Sequence, residues 1–248
     1  SFCDGGSVSL MATSAGFTGG TFTWSNGSTG NPLLVKTSGN YTVVYTSTNT
    51  CAAPVSAVVA VTVNPIPPQP TIAASGPLTF CDGGSVSLRA TSAGFTDGIF
   101  TWSNGSTGNP LLVKTSGNYT VVYTSSSICS APVSAVVAIT VNPIPPQPTI
   151  AASGPLTFCD GGSVSLTATS AGFTGGIFTW SNGSTDNPLV VKTSGNYTVV
   201  YTSANTCTAP VSAVVAVTVN PIPPQATIAA SGPLTFCDGG SVSLRATS

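Results

Sequence analysis

The chain has 248 residues, 41% of them hydrophobic but only 4% charged, with five Lys and Arg against six aspartates, no glutamate and no histidine, for a net charge of −1. A soluble domain ordinarily carries about 25% charged residues, so this surface is hydrated by Ser, Thr, Asn and Gly. Without a basic patch, counterion-driven nucleic-acid binding and docking on acidic membranes have no driving force. Acid–base catalysis lacks its usual histidine or paired carboxylates.

The segment Phe2-Cys3-Asp4-Gly5-Gly6-Ser7-Val8-Ser9-Leu10 returns at Phe80, Phe158 and Phe236, a strict 78-residue period without insertion or deletion. A strict period is one folding unit copied in tandem. The first module, 1–64, lacks its first strand. A Pro-rich linker at 65–70, Pro65-Ile66-Pro67-Pro68-Gln69-Pro70, is expected to be a semi-rigid polyproline II spacer. Complete modules then run over 71–142 and 149–220, separated by the linker 143–148. The linker 221–226 and a partial module, 227–248, follow.

Within 71–142 the apolar pattern has the period of two that strands require, and no helical period is present. Thr71–Ser75 and Pro77–Phe80 read as one strand broken at Gly76-Pro77, and Asp82-Gly83-Gly84 as a turn. Val86, Leu88 and Ala90 alternate with polar residues, and the slot after the leucine, filled by Met11, Arg89, Thr167 or Arg245, faces solvent. Phe100 and Trp102 share the next buried face, ahead of the turn Asn104-Gly105. Leu111 and Val113 form a short strand, and Tyr119, Val121 and Tyr123 point inward from the one after it. Val133, Ala135, Val137, Ile139 and Val141 are expected to make one unbroken apolar face on the last strand. Seven short strands around one tryptophan predict a two-sheet β-sandwich. Its core is centred on Trp102 and Tyr119, with equivalents Trp24, Tyr41, Trp180 and Tyr197.

The chemistry-bearing residues are few. No catalytic, metal or cofactor site is expected. Lys114 with Asp82 as an isopeptide pair, or Asp82 as a calcium ligand, loses to a solvated lysine and a turn aspartate, because calcium takes six or more oxygens. Asn26, Asn40, Asn104, Asn118, Asn182 and Asn196 stand in Asn-x-Ser/Thr sequons and are possible glycosylation sites, although Asn104 in Asn-Gly reads first as a turn. Phe95, with Phe17 and Phe173, is either an exposed ligand contact or a loop anchor. Val55–Val63 is too short and punctuated to span a bilayer. Residue 1 falls inside a repeat, so the chain reads as a fragment and the lack of a leader says nothing of targeting. Seven cysteines without histidine or close pairing argue for disulfides rather than zinc, and so for an oxidising compartment.

Trp102 on the third strand and Gly117-Asn118-Tyr119 opening the penultimate one resemble the tryptophan and tyrosine corner of immunoglobulin-like folds. The fuller pattern resembles the tandem immunoglobulin-like modules of large Bacteroidetes surface proteins, including gliding adhesins. It runs Phe-Cys-Asp-Gly-Gly-Ser-Val-Ser-Leu, Thr-Trp-Ser-Asn-Gly, Ser-Gly-Asn-Tyr-Thr-Val, a Cys, then Val-Thr-Val-Asn-Pro. The resemblance implies an exported, extracellular structural or adhesive protein at the cell surface.

The cysteines depart from the antibody plan, since the inward slots of the second and sixth strands hold Leu88 and Val121. Two connectivities remain open. The intramodule set is Cys3–Cys51, Cys81–Cys129 and Cys159–Cys207. If the topology is immunoglobulin-like, however, Cys81 and Cys129 are displaced to opposite ends of a sandwich about 20–25 Å long, whereas a disulfide needs Cα atoms within about 7 Å. The cross-module set, Cys3–Cys129 and Cys81–Cys207 with Cys159 paired beyond the fragment, avoids that conflict and locks each joint. The modules are therefore expected end to end as a non-enzymatic fibre or stalk. Their partners are neighbouring modules, with identical chains in a laterally packed filament or surface glycans as alternatives.

Overall fold

The computed structural model describes residues 1–248. All regular structure is strand, and no helix is present. The chain divides into two compact units, Ser1–Val141 and Asn142–Ser248.

The first unit contains two copies of the repeat. The first copy contributes β1 (Phe2–Cys3), β2 (Val8–Leu10), β3 (Thr21–Trp24), β4 (Leu33–Val35), β5 (Gly39–Tyr41), β6 (Val43–Thr46), β7 (Val59–Val61) and β8 (Val63–Asn64). The second contributes β9 (Thr71–Ala74), β10 (Thr79–Cys81), β11 (Val86–Thr91), β12 (Ile99–Trp102), β13 (Leu111–Val113), β14 (Gly117–Tyr119), β15 (Val121–Thr124) and β16 (Val137–Asn142). The second unit holds the third copy: β17 (Thr149–Ala152), β18 (Thr157–Cys159), β19 (Val164–Thr169), β20 (Ile177–Trp180), β21 (Leu189–Val191), β22 (Gly195–Tyr197), β23 (Val199–Thr202) and β24 (Val215–Asn220). It ends with β25 (Thr227–Ala230) and β26 (Leu244–Thr247), an isolated antiparallel pair.

The second copy illustrates the pairing. β11 lies between β9 and β13, antiparallel to both, with Leu88 opposite Ala74 on one side and Leu111 on the other. Opposite this sheet, β12 pairs with β15 and β14 with β16, all antiparallel, and β10 flanks β16. β14 and β15 are one line of chain interrupted at Thr120. The third copy repeats the plan, and there the edge strand β18 runs parallel to β24. A first strand that splits between two sheets, with the second and fourth strands in one and the third, penultimate and last in the other, is the immunoglobulin-like sandwich.

Each copy closes its own core. In the second, Val86, Leu88 and Ala90 of β11 meet Trp102, Tyr119, Val121 and Ile139 from the facing sheet. Trp180, Leu166 and Val199 anchor the equivalent cluster of the third copy, and Trp24 and Tyr41 that of the first. The alternation that exposes Arg89 on β11 buries its neighbours Leu88 and Ala90, as the pleat of a half-buried strand requires. Buried aromatics need partners for their polar ends. Trp102 Nε1 donates to the Gly108 carbonyl at 2.9 Å, and Tyr119 Oη to the Thr115 carbonyl at 3.1 Å, four residues upstream. That second bond is the tyrosine corner, repeated at Tyr41 and Tyr197.

One expectation changes. Val133 and Ala135 are exposed and lie outside the last strand, which starts at Val137. Pro132 has no N–H to give to a ladder. Ser134 then turns inward, its Oγ accepting from Val121 N–H and its own N–H donating to the Val121 carbonyl. In the first two Pro-rich linkers Pro67, Pro145 and Pro148 are fully buried, whereas residues 221–226 are exposed.

Candidate functional site

The feature that sets this chain apart from a row of independent domains is the joint between the first two copies. Cys3 ends β1, opposite Asn64 at the end of β8, and the parallel pair brings both residues to the place where the chain leaves the first copy. Asp4 N–H donates to the Asn64 carbonyl at 2.9 Å and holds that end closed. On the second copy, Cys129 sits on a tight loop in which Ser125 N–H and Oγ–H both donate to the Cys129 carbonyl. The loop carries Ile128 at a φ of 57°, a conformation that a β-branched residue rarely adopts.

Cys3 and Cys129 are bonded, 126 residues apart in sequence, with their Cα atoms 5.6 Å apart. The sulfur of Cys129 lies 3.9 Å from the Asn64 carbonyl oxygen. A second tie comes from the linker: Gln69 Nε2–H donates to the Val133 carbonyl at 2.6 Å, and Pro67 and Pro70 are buried. Within the second unit the same pieces recur. Gln147 donates to the Val211 carbonyl at 2.6 Å, Pro145 and Pro148 are buried, and the Cys207 sulfur lies 3.9 Å from the Asn142 carbonyl oxygen.

The intramodule pairings Cys3–Cys51, Cys81–Cys129 and Cys159–Cys207 are not those of the structure. Cys129 is bonded to Cys3, and Cys51 and Cys159 are free and exposed. The reason is the sandwich itself, because in the second copy β10, which ends at Cys81, and the loop after β15, which carries Cys129, lie at opposite ends of the copy. Cys81 and Cys207 are also in disulfide form. Disulfides of this kind fit a protein that is secreted or displayed at a surface, where conditions are oxidising.

The remaining candidates fall into place singly. Asp82 closes its own turn through Gly83 N–H, and Lys114 is exposed. Asn104 accepts from Ser106 N–H in the turn that Gly105 completes at a φ of 82°. All six sequon asparagines are exposed. Phe95 and Phe173 are half-buried, edge-on to Tyr123 and Tyr201 at 6.2 and 6.4 Å, and so anchor their loops. Phe17 of the first copy is 64% exposed. Residue patterning did not single out the glutamine ties. The signal was present, because the chain's three glutamines, Gln69, Gln147 and Gln225, all occupy the same linker slot.

No family model matches the chain, and no curated protein does. Among solved structures, a mouse coronavirus receptor-binding domain complexed with its murine receptor is 18% identical, with a TM-score of 0.38 over 61% of this chain and 100% of that one. The human OSCAR ligand-binding domain is 17% identical, with a TM-score of 0.27 over the same shares. The fold assignment rests on strand order, not on these likenesses.

Proposed function

We propose that the chain is a non-enzymatic, extracellular structural repeat whose closed joints make a stiff stalk or fibre at the cell surface, supporting adhesion or attachment. The observation that carries this reading is the disulfide between copies, Cys3–Cys129. A bond inside a copy stabilises that copy alone, whereas one across a joint also fixes the angle between neighbours and shares tension along the chain. The buried prolines and the Gln69 tie support it, since they turn the linker into part of the packing. By the 78-residue period the same bond is expected as Cys81–Cys207. The resemblance to Bacteroidetes surface modules belongs to this proposal and points the same way. Neighbouring modules are the primary partners.

Electron microscopy of the native surface tests the reading. Single beaded fibres are the expected result, and their beading should match one module. Bundles of defined width would replace it with a laterally packed filament. Binding of one module to a glycan array would replace it with a direct polysaccharide adhesin.

A further inference from the structure

Two covalent routes leave the first copy side by side. β1 and β8 run parallel and end together, Cys3 opposite Asn64, so the Cys3 sulfur and the backbone after Asn64 both lead on to the second copy. They enter it at different places. The backbone passes through the linker into β9 and β10 and reaches Cys81, whereas the disulfide arrives at Cys129, from which the chain continues through β16 to Asn142. β10 flanks β16, with Thr140 N–H donating to the Leu78 carbonyl at 2.9 Å, so the two routes cross the copy as neighbours. β11, β12, β13, β14 and β15, which carry Trp102, Tyr119 and most of the core, all lie between Cys81 and Cys129 and on neither route. The third copy keeps this layout: β18 runs parallel to β24, Cys159 opposite Asn220, and Asp160 N–H donates to the Asn220 carbonyl at 2.8 Å.

We propose that the bridged joints act as a strain limiter: tension crosses a copy through the short routes 65–81 and 129–142 and bypasses 82–128, where the core is built. The Cys3–Cys129 bond completes one route. The other is completed by Cys81 and Cys207, both in disulfide form and paired by the 78-residue period. Forced unfolding is governed by the unfolding rate, and tension raises that rate only along the segment that transmits it. A segment bypassed by a shorter covalent route stays slack and keeps its fold. The magnitude is large. A chain pulled straight reaches about 3.3–3.6 Å per residue, so removing from the path the 126 residues that the bond closes takes away about 430 Å of possible lengthening. This inference rests on the proposed function, in which the joints bear tension, and adds where that tension runs.

The test tethers the full chain in magnetic tweezers by its N-terminus and by an azide side chain introduced at Gly154, where an added Cβ meets open space. The oxidised chain should extend to about 100 Å and then stop. Dithiothreitol added under load should release about 430 Å more, in steps as the first two copies unravel. The variant with Cys3→Ser and Cys81→Ser, its remaining thiols kept reduced, should reach the longer extension from the start, whether or not its copies fold. An oxidised chain as extensible as the reduced one overturns the proposal, and so does a reduced chain or a variant that stops at about 100 Å. The proposed function fails separately: a native surface without single fibres removes that reading and leaves these lengths unchanged.

Discussion

Trp102 and Tyr119 do at the centre of a copy what a core disulfide does in antibody domains. They fill the space between the sheets and tie themselves to backbone carbonyls at Gly108 and Thr115. Trp102→Ala should cost about 3–5 kcal/mol, seen as faster hydrogen exchange in β12 and β15 with β20 and β23 unchanged. Ile128 is the opposite case. Its φ of 57° and 84% exposure mean that the side chain contributes strain without burial. Ile128→Gly should therefore raise stability by up to about 1 kcal/mol, measured as a higher urea midpoint. Both roles differ in legibility. The tryptophan and the tyrosine were readable because bulky aromatics at fixed strand positions have one use in so small a core. The strain at Ile128 was not, since backbone torsion leaves no trace in residue type when isoleucine stands where glycine is usual.

At the level of elements, alternation carried the reading wherever one strand face meets a core, as in Val86, Leu88 and Ala90 of β11. It misled at Val133 and Ala135, where the same alternation continues through Pro132 and Ser134 but the pairing does not. Hydrogen bonding, not hydropathy, decides that stretch: Ser134 brackets Val121 and keeps Val133 turned outward. Proline density likewise gives the conformation of a linker but not whether water or protein surrounds it, so the burial of Pro67 was invisible. The Gln69 tie gives this packing a direct test. Gln69→Ala removes the donor to the Val133 carbonyl and should cost about 1 kcal/mol. Faster hydrogen exchange at 66–72 should report it, while β14 and β16 stay protected.

For the whole molecule, residue spacing leaves the cross-joint and intramodule disulfides side by side, and only strand direction separates them. Once β10 and the loop after β15 are placed at opposite ends of the second copy, Cys129 can reach a neighbour's cysteine and not its own Cys81. On the chain-entropy model a bond closing 126 residues stabilises by about 5 kcal/mol. Cys3→Ser should therefore lower the urea midpoint of the first two copies well below that of the third. Trypsin offers the most direct test of the joint, because its five cleavage sites, Lys36, Arg89, Lys114, Lys192 and Arg245, place Cys3, Cys51 and Cys129 in three different peptides. Mass spectrometry of the unreduced digest should find 1–36 linked to 115–192 through Cys3 and Cys129. A link from 1–36 to 37–89, joining Cys3 to Cys51, would contradict the account.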